Sequence, residues 1–149
     1  MHALALPAPR VLGYRRDLRK GLRILWMALS ELVINSFLDA LGNATAYSEA
    51  GVWVKLHIGA PGTAGANNPA ATTTRMQASF APAATKSMTT DADILWSNVA
   101  NAETISHVSL WDASTGGNFL GEQALAASKV LAVGDNFRIP AGSLTVSGT

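Results

Sequence analysis

Val52-Trp53-Val54-Lys55-Leu56-His57-Ile58 is the stretch whose reading decides the fold class of this chain. On an extended backbone Val52, Val54, Leu56 and Ile58 fall on one side and Trp53, Lys55 and His57 on the other, the period-two alternation of a half-buried strand. Pro61-Gly62-Thr63-Ala64-Gly65-Ala66-Asn67-Asn68-Pro69 follows, and its prolines and glycines set turns and forbid a continuing ladder. Further strand candidates come in short runs: Thr73 to Phe80, Ile94 to Trp96, Thr104 to Trp111, Asn118 to Leu125, Lys129 to Val133, Asn136 to Ile139 and Leu144 to Ser147. Asp112 to Asn118 and Gly134-Asp135-Asn136 read as turns between them. Many short strands separated by Gly, Asn and Asp turns predict a mainly β fold, an antiparallel β-sandwich or barrel-like domain, rather than alternating βαβ units.

Upstream of these strands the period is helical. From Ala28 to Leu41, the residues Leu29, Leu32, Val33, Phe37 and Ala40 form one stripe, and Ile34, Leu38 and Leu41 widen it. Ser30 suits the cap, Glu31 the positive end of the helix, and Gly42-Asn43 the stop. An apolar surface this broad must be buried, against the β domain or against a neighbouring subunit.

Composition and charge bound what the chain does. Its 149 residues suffice for one core. Charged residues make up 14% and apolar ones 48%, a balance opposite to that of disordered chains. So few charges protect a free monomer poorly against association, which favours a subunit within an assembly; an ordinary monomer with an uncharged surface fits the same composition. The net charge of +1 divides unevenly: residues 1–26 carry +5, from Arg10, Arg15, Arg16, Arg19, Lys20 and Arg23 against Asp17, and the remainder carries −4. This marks a basic N-terminal extension, residues 1–26, ahead of a single β-rich domain, residues 27–149, with its leading helix at 28–41. The extension reads in three ways: an idle segment upstream of a start at Met27, a membrane-surface helix, or an arm touching nucleic acid. No apolar run approaches the ~20 residues of a membrane helix.

Residues able to carry chemistry are sparse. Without cysteine there is no disulfide, thiolate nucleophile or Cys-ligated zinc. His2 sits in the extension, while His57 and His107 fall mid-strand on the less apolar face, where a histidine is most often a hydrogen-bonded sheet residue. Ser109, His107 and Asp112 are close enough in sequence to suggest a Ser–His–Asp arrangement, but no Gly-x-Ser-x-Gly elbow presents the serine. Asp91 and Asp93 form an Asp-x-Asp pair without the spacing or terminal Glu of a calcium loop, and turn-forming acids at a strand start explain them. Gly62-Thr63-Ala64-Gly65 lacks the Gly-Lys-Ser/Thr ending of a phosphate cradle. Trp53, Trp96 and Trp111 are not interleaved with basic residues apart from Lys55, so burial in the domain or an interface is a simpler account than stacking on nucleic acid.

Three motifs, in order, carry a family resemblance. Val54-Lys55-Leu56-His57-Ile58-Gly59-Ala60-Pro61-Gly62-Thr63-Ala64-Gly65-Ala66-Asn67 resembles an L-H-x-x-x-P-G-x-x-G-A-N signature, followed by Ile105-Ser106-His107-Val108-Ser109-Leu110-Trp111-Asp112 through Leu120 and by Val133-Gly134-Asp135-Asn136-Phe137-Arg138-Ile139-Pro140-Ala141-Gly142-Ser143-Leu144. Together they are similar to small tailed-phage virion proteins labelled tail-fibre, minor tail or capsid-decoration proteins, especially of actinobacterial phages and prophages. The likeness spans about residues 28 to 147. It implies a non-enzymatic virion component, made in the cytoplasm of the bacterial host, whose partners are copies of itself and other virion proteins in a homo-oligomer, with a host-surface receptor as a further partner. It implies no small-molecule substrate, no cofactor and no nucleic-acid partner. The rival readings are a receptor- or carbohydrate-binding module using loop 60–69 and the 112–118 turn, and a virion-borne hydrolase using His107 and Asp112. Candidate interface residues are Phe37, Leu38 and Leu41 on the helix and Trp53 and Trp111 on the sheet, because large apolar and aromatic groups concentrate interface energy.

Overall fold

The computed structural model describes residues 28–43 and 51–147; the basic segment 1–26 lies outside the described residues. In chain order the elements are β1 (Ala28–Leu29), α1 (Glu31–Asn43), β2 (Val52–His57), β3 (Met76–Ala78), β4 (Ser87–Thr89), β5 (Ile94–Trp96), β6 (Glu103–Trp111), β7 (Phe119–Leu131), β8 (Phe137–Ile139) and β9 (Thr145–Ser147). Five of the strands form one antiparallel sheet in the order β1-β7-β6-β2-β3, and two antiparallel ribbons, β4 with β9 and β5 with β8, complete the fold. The described residues are mainly β, with one helix and a sandwich-like arrangement.

The alternation in β2 works as read. Val54 and Leu56 are fully buried on one face, where they meet Leu110 and Val108 of β6 as cross-strand partners. Ile94, Trp96, Phe137 and Ile139 of the β5–β8 ribbon join the same core, with Val99, Leu131 and Leu144. Trp96 and Phe137 face each other across that ribbon with ring centroids 5.7 Å apart. The buried indole N–H donates to the carbonyl of Thr74 at 2.9 Å, so the largest core side chain leaves no orphan donor.

Strict alternation would place Ser106, not Ile105, on the core side with Val108. Ile105 is nonetheless fully buried, as Val108 is. Beside it the pairing is irregular: His107 lies opposite Ala124 while Ile105 lies opposite Lys129, so β7 advances five residues as β6 advances two and bulges. The stretches read from sequence as two strands, Asn118 to Leu125 and Lys129 to Val133, are one long β7.

Other expectations need correction. The helix begins at Glu31, not Ala28, because Ala28 and Leu29 pair with Glu122 and Gly121 of β7. Ser30 then turns the chain: its N–H donates to the Leu120 carbonyl at 2.7 Å, and its hydroxyl and carbonyl receive the N–H groups of Val33 and Ile34. Ile58, read as core-facing, is 49% exposed because β2 ends at His57 and the chain turns away. The strand read at Thr73 to Phe80 forms only over β3, and β4 carries no alternation that would have revealed it; its partner β9 defines it.

The helix is the largest departure from burial. None of its residues is buried, although Val33 packs against the core, and Ile34, Phe37, Leu38 and Leu41 are all exposed.

Candidate functional site

On the side of the large sheet away from the core, β2 presents Trp53, Lys55 and His57 beside Trp111, Ser109 and His107 of β6. This polar and aromatic face is covered by the loop after β2. The loop returns on itself through the N–H of Ile58 donating to the Asn68 carbonyl, Asn67 to Pro61, Gly65 to Gly62, and Ala70 to Leu56. Gly62 and Gly65 have φ of +76° and +67°, the left-handed region that β-carbon-bearing residues avoid. At Gly65 the steric demand is doubled: a Cβ would run into the Phe119 ring and come within 2.8 Å of Trp111 Cζ2. The Pro-Gly-x-x-Gly spacing therefore serves a close approach of loop backbone to an aromatic pair, Trp111 and Phe119, whose centroids are 5.7 Å apart.

Beneath the loop a hydrogen-bond chain links three side chains. Trp111 Nε1 donates to Ser109 Oγ at 2.8 Å, and Ser109 Oγ lies 2.8 Å from His57 Nε2. His57 Nδ1 lies 2.9 Å from the Asn67 carbonyl. That carbonyl can only accept, so Nδ1 carries the proton, Nε2 accepts from the serine hydroxyl, and the serine oxygen accepts from the indole. Burial pushes the His57 pKa below its ordinary value. The bond to the Asn67 carbonyl opposes this by favouring the imidazolium, and the Lys55 ammonium nearby adds to the lowering. Burial is also the main cause of a lowered Lys55 pKa, with Arg75 second.

This is a serine–histidine pair at the distance a nucleophile and base would require, but not the one suggested by sequence. His107 instead takes Ser106 Oγ at 2.9 Å from its Nδ1. Asp112 holds the 112–118 turn, accepting from the N–H of Asn118 at 2.6 Å and from its side-chain amide at 2.7 Å. Ser109 and His57 are both fully buried, and the third group is a carbonyl rather than a carboxylate. The serine hydroxyl is already committed to the histidine and its oxygen to an indole. The arrangement locks the loop to the sheet.

Arg75 completes this face and was not singled out in the sequence. Its guanidinium carbon lies 3.8 Å from the Trp111 ring centroid, and Nη1 donates to the carbonyls of Ala113 and Gly116 at 2.8 and 2.6 Å. The residue ties the 112–118 turn to the aromatic pair. No local pattern reveals it, because its partners lie about forty residues downstream. Trp53 stands opposite Trp111 in register and is half-buried. Trp111, by contrast, is engaged by Arg75, Phe119 and Gly65.

The Asp-x-Asp pair is divided by the fold. Asp93 meets Arg138 at 2.8 Å and accepts from the N–H of Ala141 at 2.9 Å, and the second of these does most to hold its carboxyl below the ordinary range. Among the described residues no three His, Asp or Glu side chains gather as a metal would need. No described helix is long and apolar enough to cross a membrane.

Among the described residues, two apolar surfaces stand out. One is the α1 stripe of Ile34, Phe37, Leu38 and Leu41. The other is a groove of about 320 Å³ between the bulged part of β7 and the β8 segment, with an apolar lining that includes Leu125, Phe137, Ile139 and Leu144.

No curated protein matches the chain. A family model described as podophage GP4 fiber I protein gp80 does match, over residues 28–147, which takes in the β1–α1 arm, the loop-covered face and both ribbons. With its three motifs accounted for as turns and locks of one β fold, and the match running through all of them, the chain belongs to the podophage GP4 fiber I protein gp80 family of phage tail-fibre proteins.

Proposed function

We propose that the protein is a non-enzymatic structural subunit of a phage fibre that assembles through contacts with further copies of itself and with other virion proteins. One observation carries this reading: α1 exposes Phe37, Leu38 and Leu41 by 63, 55 and 76%, contiguous on one face. Single exposed leucines are ordinary, whereas a contiguous stripe on an otherwise weakly charged chain is expensive to leave in water. Family membership supports a place in the virion, where neighbours cover such a stripe. A structural rather than catalytic role for the Ser109–His57 pair is supported by the full burial of both side chains and by a backbone carbonyl in place of a third carboxylate.

Light scattering on size-exclusion fractions over a range of concentrations tests the reading. The full chain is expected to form multimers, and the combined variant Phe37→Ser, Leu38→Ser, Leu41→Ser to shift toward monomer with its circular dichroism unchanged. A wild-type chain that stays monomeric and does not bind particles lacking the subunit overturns the proposal.

A second reading, contact with a host-surface glycan, is favoured by one feature: loop 60–69 and the 112–118 turn converge around Trp111, next to half-buried Trp53. Glycan-array binding that disappears in Trp53→Ala would establish it; no binding by the wild type would remove it.

A further inference from the structure

The two open surfaces match each other. α1 offers a ridge of Ile34, Phe37, Leu38 and Leu41, and its only charged residues are acidic, Glu31 and Asp39. The groove beside the β7 bulge offers an apolar lining, and the charged residues along it are basic: Lys129, and Arg138, which is already paired with Asp93. No residue of α1 lines the groove, so within one chain neither surface covers the other. Gln123 adds an independent mark. It lies opposite Val108 and so points to the core side of β7, lines the groove, and keeps its side-chain oxygen buried without a hydrogen-bond partner. A buried acceptor left unpaired costs free energy that an incoming donor recovers.

We infer that the groove between β7 and β8 is the seat for α1 of a second copy of this chain. This rests on the fibre-assembly reading and deepens it by naming the two halves of the contact. Phe37, Leu38 and Leu41 enter the apolar groove, an acidic residue of the helix meets Lys129, and a donor such as Asn35 beside the stripe reaches Gln123. Because ridge and groove are different patches of the same chain, the contact is heterologous. Each copy that donates its helix still has an empty groove, so addition continues head to tail and yields a filament, or a ring if the rotation closes. A two-fold helix-to-helix dimer would close after two copies and would not propagate in this way.

The lack of cysteine makes the test clean. Leu38→Cys and Ala126→Cys are prepared as separate full-length proteins, both at exposed positions, with Ala126 on the groove wall. They are mixed, oxidised mildly and separated without reductant, alongside an Ala100→Cys control at an exposed site away from both surfaces. The expected product is a covalent heterodimer of Leu38→Cys with Ala126→Cys, absent when Ala100→Cys replaces either partner. Lys129→Glu should slow its formation several-fold and reduce the dependence of association on salt. Multimers that cross-link only Leu38→Cys to Leu38→Cys overturn the helix-in-groove contact while leaving the fibre-assembly reading standing. A disulfide within a single chain carrying both cysteines, without the intermolecular product, also overturns it, since the helix then covers its own groove. Monomers throughout overturn both.

Discussion

The loop-covered face of the sheet and the exposed side of α1 are both outside the core, yet they treat their apolar and polar groups oppositely. Around His57 each donor meets an acceptor: indole to serine, serine to imidazole, imidazole to the Asn67 carbonyl, and guanidinium to the turn carbonyls. Along α1 four large apolar side chains stay about half exposed or more, with no cover among the described residues. A fully satisfied surface reports that a structural problem has been solved within the subunit. An unsatisfied apolar one reports that its solution lies in another molecule.

If that contrast is right, perturbing the loop-covered face harms the fold and perturbing the helix harms only assembly. The largest loss is expected at Gly65→Val, which combines a positive φ with collision against Trp111 and Phe119; strain and overpacking together should cost about 2 to 5 kcal/mol in urea unfolding. Ser109→Ala comes next. It strands the Trp111 N–H and the His57 ring nitrogen, and should destabilise by about 1 to 3 kcal/mol. A serine acting only as a surface hydroxyl would cost a few tenths, so unfolding curves separate the two cases.

A smaller, pH-dependent effect belongs to His57. Its pKa is lowered in the folded state, so above the ordinary histidine value of 6.5 both states are neutral and its contribution is fully present. As pH falls below 6.5 the unfolded chain takes up a proton that the folded chain resists, and stability is lost down to the folded-state pKa. Melting temperatures between pH 5 and 8 should fall on the acid side for the wild type, and the slope should flatten in His57→Gln. The smallest effect on folding is expected from the triple serine variant of Phe37, Leu38 and Leu41. These residues are exposed, so monomer stability should shift by no more than about 0.5 kcal/mol per site, even as multimers dissociate. A large loss of folding stability there would mean that the stripe belongs to the subunit itself and would erase the contrast.

Much of this was legible in the chain. The alternation at Val52 to Ile58 and at Thr104 to Trp111 led to the central pair of strands, since side-chain direction in a strand is a local property. The turns at Asp112 to Asn118 and Gly134 to Asn136 followed from residue types that bond their own backbone. The glycine-rich loop was read correctly as a turn-rich connection, but its role as a lid was not legible, because the group that anchors it, Ser109, lies fifty-two residues from His57. In sequence the serine sits beside His107 and Asp112 instead. Strand pairing, which places His57 and Ser109 on one face of adjacent strands, chose a different histidine.

Local sequence by itself determined a mainly β chain with one amphipathic helix, because period and turn chemistry are written in consecutive residues. Tertiary structure alone decided which polar groups became partners, where β7 bulges beside the buried Ile105, and that the helix stripe is exposed among the described residues. Those outcomes depend on register and on contacts between distant segments, and a one-residue shift in register reverses a strand's faces without changing a letter of the sequence.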